Sequence, residues 1–185
     1  IPSNEKSNLF VEEKRRIGKA AAELINEDDV IVLDSGTTTI EIARNISKRV
    51  TVITNDLKIA MELCLKDHIT LFITGGLVEN SLYSTTGKTT ETFLNEFHAD
   101  KSFLSADAVS LRYGITNRTA EQVPIKRSIA LSGDEKILVA DHSKFEKDTF
   151  AKIGLLSELD MIITDQMEEQ IKGKYEALGI RITLV

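Results

Sequence analysis

The chain has 185 residues, of which 42% are hydrophobic and 28% charged, and its 23 basic and 29 acidic residues give a formal net charge of −6. This balance is typical of a globular domain and excludes disordered and fibrous classes, while no apolar stretch is long enough to suggest a membrane span or a signal peptide. The single cysteine, Cys64, excludes an internal disulfide and fits a reducing cytoplasm, and the acidic charge argues against direct nucleic-acid binding.

Short apolar runs alternate with helical patterns along the whole chain, which is typical of parallel strands joined by crossover helices. We therefore predict one continuous α/β domain with a mostly parallel sheet and helices on both faces. The predicted elements in chain order are helix 11–25, strand 30–33, helix 37–46, strand 50–53, helix 57–64, strand 69–73, helix 89–97, strand 101–104, helix 120–131, strand 137–140, a short strand or extended connection 150–155, strand 161–164, helix 168–178 and strand 180–185.

Helical spacing also predicts which side chains turn inward. In helix 57–64 we expect the buried stripe to consist of Leu57, Ala60, Met61 and Cys64. In helix 89–97 we expect Phe93, Leu94 and Phe97 in the core. Pro124 fits a helix only near its first turn, where the missing N–H matters least.

Polar and small residues directly follow five predicted strands. In open α/β sheets, ligands bind in the crevice outside the carboxyl ends of the strands. Five such segments indicate one polar site rather than five unrelated turns. The segments are 34–39, 54–56, 74–76, 105–107 and 141–144.

The segment after the first strand has the chemistry of a phosphate site. Gly36 allows close backbone approach, and Thr37 and Thr38 open a helix whose N–H groups and hydroxyls can hold an anion. It is neither a Walker loop nor a dinucleotide-binding Gly-x-Gly-x-x-Gly motif. In the alternative interpretation, Thr37 only caps the helix and Gly36 only makes the turn.

Three aspartates follow strands: Asp34, Asp107 and Asp141. A single aspartate in this position is most often a helix or turn cap. Three that converge on one crevice suit the binding of sugar hydroxyls or acid–base chemistry, and the sequence leaves these roles open.

Three further charged residues are candidates for the same site. Glu121 and Lys126 lie five positions apart, roughly 140° around a helix, so they are not an i,i+4 surface pair. Lys144 offers a second cation, and each of the three could instead be a solvated surface charge. The three histidines lack metal-ligand spacing, so we expect no metal and no cofactor.

An ordered series of motifs resembles the C-terminal sensor domain of the DeoR family of bacterial transcriptional regulators. The matching segments run from about residue 11 to residue 165, nearly the whole chain. They are VEEKRRIGKAAA (11–22), LDSGTTT (33–39), VITN (52–55), ITGG (73–76), DKSFL (100–104), GIT (114–116), Glu121 with KR (126–127), ADHSKF (140–145), LSELD (156–160) and ITD (163–165).

The resemblance implies a fold similar to ribose-5-phosphate isomerase and glucosamine-6-phosphate deaminase, used as a sensor rather than an enzyme. It implies a cytoplasmic repressor of carbohydrate metabolism that binds a phosphorylated sugar, forms a homo-oligomer (dimer or tetramer) and does not bind a membrane. Operator DNA would be contacted only through an N-terminal winged helix-turn-helix, which we expect to be absent from residues 1–185, a single sensor domain. The family's ligand-site motifs carry over to Asp34, Gly36, Thr37, Thr38, Thr54, Asn55, Gly75, Gly76, Asp107, Glu121, Lys126, Asp141 and Lys144.

One departure from the family concerns the segment after the fourth strand. Ser105 and Ala108 stand where the family usually has glycine, and the added side chains are expected to reshape the pocket. The alternative function is a sugar-phosphate isomerase, for which Asp107, Glu121 and Lys126 have suitable chemistry. The glycine-rich segment expected before the glutamate of such isomerases is absent, which favours the sensor.

Overall fold

A seven-stranded sheet lies at the centre of the computed structural model, which describes residues 8–79, 82–154 and 156–185. Every pair of neighbouring strands in this sheet is parallel. The carboxyl ends of all its strands therefore lie along one edge, as predicted. From one side to the other the strands are β12 (Arg181–Leu184), β11 (Met161–Thr164), β9 (Gly133–Val139), β6 (Ala99–Leu104), β1 (Val30–Leu33), β2 (Val50–Thr54) and β3 (Ile69–Ile73).

Helices cover both faces of the sheet and bury one apolar cluster on each. The first three helices pack on the face that carries Leu33 and Val52, and the last three pack on the face that carries Val32 and Leu104. The predicted fold class is therefore confirmed. The helices are α1 (Val11–Glu23), α2 (Thr39–Asn45), α3 (Leu57–Leu63), α4 (Lys88–Asn95), α5 (Gln122–Ser132) and α6 (Glu169–Glu176).

Two small antiparallel sheets were not predicted as such. A two-stranded hairpin follows β3, and a three-stranded sheet in the order β10–β8–β7 lies beyond β6. Of their strands only β10 corresponds to a predicted segment, 150–155, whose last residue lies outside the described residues. Strands of three or four residues are too short for an alternating pattern to stand out. They are β4 (Leu77–Glu79), β5 (Ser84–Thr86), β7 (Ala108–Ser110), β8 (Gly114–Asn117) and β10 (Ala151–Gly154).

Two residues that were predicted to lie on the buried side of α3 are exposed instead. Ile59 and Leu63 form the buried stripe, whereas Met61 is 72% exposed and Cys64, just past the helix end, is exposed as well. Met61 follows Ile59 by two residues, about 200° around the helix, so it must point to the opposite side.

The packing prediction for helix 89–97 is met in part, and the prediction for Pro124 is met in full. Phe93 and Phe97 are only partly buried, with ring centroids 4.8 Å apart. Pro124 is the third residue of α5, inside the first turn as its missing N–H requires.

Candidate functional site

A cavity of about 270 Å³ opens at the carboxyl ends of β1, β6 and β9. The hairpin β4–β5 and the connection from β8 into α5 complete its walls. Three of the five predicted strand-end segments reach it, and those after β2 and β3 do not. The lining residues are Ser35, Gly36, Thr37, Thr38, Glu79, Leu82, Ser84, Ser105, Ala106, Asp107, Asn117, Arg118, Thr119, Gln122, Lys126, Val139, Ala140 and Lys144.

The loop after β1 presents backbone donors to the cavity. Within the described part of the chain, the N–H groups of Gly36, Thr37 and Thr38 donate no hydrogen bond, because α2 begins only at Thr39. The carbonyl of Gly36 is already occupied, since it accepts from the Thr39 hydroxyl at 3.0 Å and from the Ile40 N–H at 3.3 Å. The loop therefore offers three N–H donors to a bound group, whereas its Gly36 carbonyl is already engaged.

A buried ion pair lies directly beneath this loop. The Lys126 ammonium donates to the carboxylate of Asp34, which is fully buried, and to the Ser105 carbonyl at 3.0 Å. The N–H and hydroxyl of Ser105 also lie 2.9 Å from Asp34 Oδ2. Asp34 is thus enclosed by Ser105 and Lys126 and does not line the cavity, whereas Lys126 does.

The segment after β2 supports the loop from behind. The side chain of Asn55 accepts from the Ser35 N–H at 3.1 Å, and Thr54 donates to the Leu33 carbonyl at 2.8 Å. Asp56 caps α3 by accepting hydrogen bonds from the N–H groups of Lys58 and Ile59. Its carboxylate also accepts from the Ser35 hydroxyl at 2.6 Å. Burial raises the pKa of the Asp56 carboxyl, against hydrogen bonds that lower it. Asn55 and Asp56 therefore position Ser35, and Thr54 fastens β2 to the end of β1. Neither Thr54 nor Asn55 lines the cavity.

Four other candidate residues also lie outside the cavity lining. The Gly75 carbonyl accepts from the Thr90 hydroxyl at 2.6 Å, and Gly76 takes a φ of +137° next to it. Glu121 is exposed at the start of α5. Asp141 is buried and caps the 3-10 turn that carries Lys144, so it holds this lysine's segment in place. Six candidates line the cavity: Gly36, Thr37, Thr38, Asp107, Lys126 and Lys144.

Several lining residues were missed from the sequence. Gln122 is buried and donates to Glu79 at 2.7 Å and to the Ser84 hydroxyl at 3.2 Å, so it ties α5 to the hairpin. Arg118 follows β8, and its N–H donates to Asp107 at 3.1 Å. Reading 114–117 as a strand would have marked Arg118 as a polar strand-end residue, whereas nothing in the sequence marks Glu79.

The charges on the cavity wall are mixed. Among the described lining residues, Arg118, Lys126 and Lys144 are cationic and Glu79 and Asp107 are anionic. An anionic group can be held by the loop after β1 and these cations, and the two carboxylates can accept from hydroxyl groups. In the ranges that the structure describes, no group of three or more His, Cys, Asp or Glu side chains could hold a metal ion, and no helix is long and apolar enough to cross a membrane.

Comparison with known protein families shows which family the chain belongs to. The protein-family model described as the DeoR C-terminal sensor domain matches residues 9–166. The chain belongs to this DeoR family.

Curated relatives of this DeoR-family chain are transcriptional regulators. It is 38% identical over 173 residues to the putative sgc region transcriptional regulator of Escherichia coli (strain K12), covering 92% of this chain and 66% of that protein. It is 36% identical to an uncharacterized HTH-type transcriptional regulator of Haemophilus influenzae, covering 98% and 72%, and 35% identical to the putative aga operon transcriptional repressor of E. coli O157:H7, covering 98% and 68%. The chain spans about two-thirds of their length. The family match identifies the chain as a sensor domain of such regulators, which favours the sensor over the isomerase alternative.

Solved structures share the fold of this DeoR-family domain. Ribose 5-phosphate isomerase A from Methanocaldococcus jannaschii superposes with a TM-score of 0.51 at 20% identity, over 77% of this chain and 55% of that one. The eIF2B delta subunit from Chaetomium thermophilum gives 0.51 at 16% identity, over 75% and 50%. At these identities the similarity shows the fold alone, and the predicted likeness to ribose-5-phosphate isomerase is confirmed.

Proposed function

We propose that the cavity of this DeoR-family domain binds a phosphorylated sugar and that the domain acts within a cytoplasmic repressor of carbohydrate metabolism. The ligand favours one arrangement of subunits in a homo-oligomer, and a separate DNA-binding module of the same regulator reads that arrangement at the operator. A ligand that prefers one arrangement by about 2 kcal/mol changes operator affinity by roughly 30-fold.

The observation that carries this proposal is that N–H groups able to donate to an anion lie in the same cavity as cationic side chains. The N–H groups of Gly36, Thr37 and Thr38 have no other acceptor among the described residues, and Lys126 lies in the same wall. A phosphate monoester offers three acceptor oxygens and a negative charge to such a set. Because Asp34 fixes the Lys126 ammonium, the site is organised before the ligand arrives.

The other wall suits the hydroxyl groups of a sugar. Asp107 and Glu79 supply carboxylate acceptors, Asn117 supplies an amide, and the hydroxyl oxygen of Thr119 is buried without a partner among the described residues. A volume of about 270 Å³ is just below the roughly 300 Å³ at which drug-sized pockets begin, as expected for a monosaccharide phosphate.

A thermal-shift screen followed by calorimetry tests the proposal on the 185-residue chain. Pentose and hexose phosphates are compared with the matching free sugars and with inorganic phosphate. A phosphate ester at 100 times its Kd is expected to stabilise the fold by about 2.7 kcal/mol, and the free sugar is expected to have no effect. Equal binding of sugar and sugar phosphate would remove the phosphate assignment.

A further inference from the structure

The outer strand of the main sheet is an unprotected edge. Strand β3 has the sequence ITLFI, without a charge or a proline, and it pairs with β2 over five residues without a bulge. Natural proteins protect exposed edges with charged residues, proline or bulges, because a bare edge pairs with other chains. At the opposite edge, β12 begins with Arg181, which pairs with Glu135. In the part of the chain that the structure describes, β3 itself carries no charge, proline or bulge that would protect its edge.

Hydrogen bonds to β2 show which backbone groups of β3 point outward. The Val50 N–H donates to the His68 carbonyl, and the Thr74 N–H donates to the Thr54 carbonyl. Residues with even numbers therefore face β2, and Ile69, Leu71 and Ile73 turn their backbone groups away from the sheet.

The side chains of these three outward residues share one face of the sheet. Ile69 and Leu71 pack beside the cluster that contains Ile59 of α3, and alternation places Ile73 with them. Phe72 lies on the other face, where its ring centroid is 5.7 Å from that of Phe97.

We propose that a second copy of this chain pairs with β3 in antiparallel orientation about a two-fold axis at Leu71. Leu71 then lies opposite its own copy, and Ile69 lies opposite Ile73. The result is a ladder of six aliphatic side chains on one face. The three outward residues are symmetric about Leu71, with isoleucine on either side, so an identical strand fits, as an isologous interface requires. The Ile69 N–H already donates to the Lys66 carbonyl, and the new ladder uses the N–H groups of Leu71 and Ile73.

Exposed apolar side chains flank the edge on both faces of the sheet. Ile73 is 41% exposed on the face that α3 covers, Phe72 is 40% exposed on the opposite face, and Leu77, which follows in β4, is 75% exposed. A strand paired with β3 therefore covers apolar side chains as well as the outward backbone groups.

Sedimentation velocity and a pair of matched variants test the surface. The wild-type chain is expected to be a dimer, and Ile73→Lys is expected to be a monomer at the same concentration, with an unchanged circular dichroism spectrum. The control is Leu184→Lys, on the opposite edge strand and similarly exposed (44% against 41%), which is expected to remain a dimer. A monomeric wild type, or a dimer that survives Ile73→Lys, overturns the inference.

Disulfide trapping tests the register and does not depend on a charged variant folding. In a Cys64→Ser background, oxidised Leu71→Cys is expected to form a covalent dimer that thiols reverse, because residues in a hydrogen-bonded antiparallel pair are about 5.5 Å apart at Cα. Thr70→Cys is the control and is expected to stay monomeric under denaturing conditions, because Thr70 lies opposite Phe72. The reverse pattern, or no trapping at Leu71→Cys, overturns the inference.

This inference rests on the proposed function, which includes a homo-oligomer. Different results would contradict the β3 interface and the sensor function. If the wild type is a dimer that Leu71→Cys does not trap, the oligomer stands and its surface lies elsewhere. If the wild type is a monomer that still binds sugar phosphate, the sensor remains and the dimer is lost.

Discussion

Gly36 and Ser105 face each other beneath the cavity with no space between them for another side chain. A Cβ added to Gly36 would lie 2.7 Å from Ser105 Cβ and 2.8 Å from its hydroxyl oxygen. The loop after β1 is thereby packed against the loop after β6. The Ser105 side chain fills the room next to Gly36 and reaches the Asp34 carboxylate.

Gly36→Ala is expected to destabilise the fold by about 1–3 kcal/mol, because the added methyl overpacks this contact. It should also weaken sugar-phosphate binding, since the loop that we propose donates to the ligand must move. Ser105→Gly removes the opposing side chain and is expected to recover part of the loss in the double variant. Urea unfolding of the wild type, both single variants and the double variant gives the coupling energy. Additive effects would show that the two residues do not press on each other.

Lys126→Met is expected to cost about 3–5 kcal/mol of stability, because it leaves the Asp34 carboxylate buried without its cation. Adding Asp34→Asn removes that charge and should restore much of the stability, although sugar-phosphate binding should stay weak in both variants. Lys19→Met, at an exposed lysine of α1, is the control and should leave unfolding in urea nearly unchanged. If both lysine variants unfold alike, the buried pair contributes no special stability.

The double substitution of Thr37→Val and Thr38→Val keeps the shape of the loop and removes both hydroxyls. If these hydroxyls donate to a phosphate, each is worth about 1.5–3 kcal/mol, so binding should weaken by about 100-fold or more in calorimetry. The control is Thr51→Val in β2, which does not line the cavity. Affinity unchanged from wild type would show that the two hydroxyls do not contact the ligand and would leave the N–H groups as the only donors proposed for this loop.

The main strands were predictable because each buried strand has a compact apolar run. Strand β1 was predicted at its observed bounds, and so was β11. The hairpin β4–β5 was not predicted, because strands of three residues leave no periodic signal. The exposure of β3 was also hidden, since an apolar run looks the same in a central strand and at a sheet edge.

The candidate site was predictable only in part, for a related reason. The rule that ligands gather at strand ends found Thr37 and Lys144 on the cavity wall. It could not separate a residue that lines the cavity from one that is buried behind it, and Asp34 is the clearest case. Its carboxylate is covered by Ser105 and Lys126, and the latter comes from a helix 92 positions away in sequence. Such contacts arise only when distant elements pack together.

Asp56→Asn is expected to stabilise the protein more at neutral pH than at acid pH. Burial raises the pKa of this carboxyl in the folded state, so the folded protein binds the proton more tightly than the unfolded chain. The cost of ionising Asp56 is therefore absent below the unfolded value of about 3.9 and fully present above the raised folded value. Asparagine caps a helix about as well as aspartate, so α3 should keep its start.

The measurement is urea unfolding of the wild type and Asp56→Asn between pH 3 and pH 7. The free-energy difference in favour of the variant should grow as pH rises from about 3.9 and then level off. Asp67→Asn, at an exposed position, reports the effect of removing one surface charge and is subtracted. A difference that shrinks as pH rises would mean that hydrogen bonds from Ser35 and the α3 N-terminus outweigh burial and stabilise the charged form.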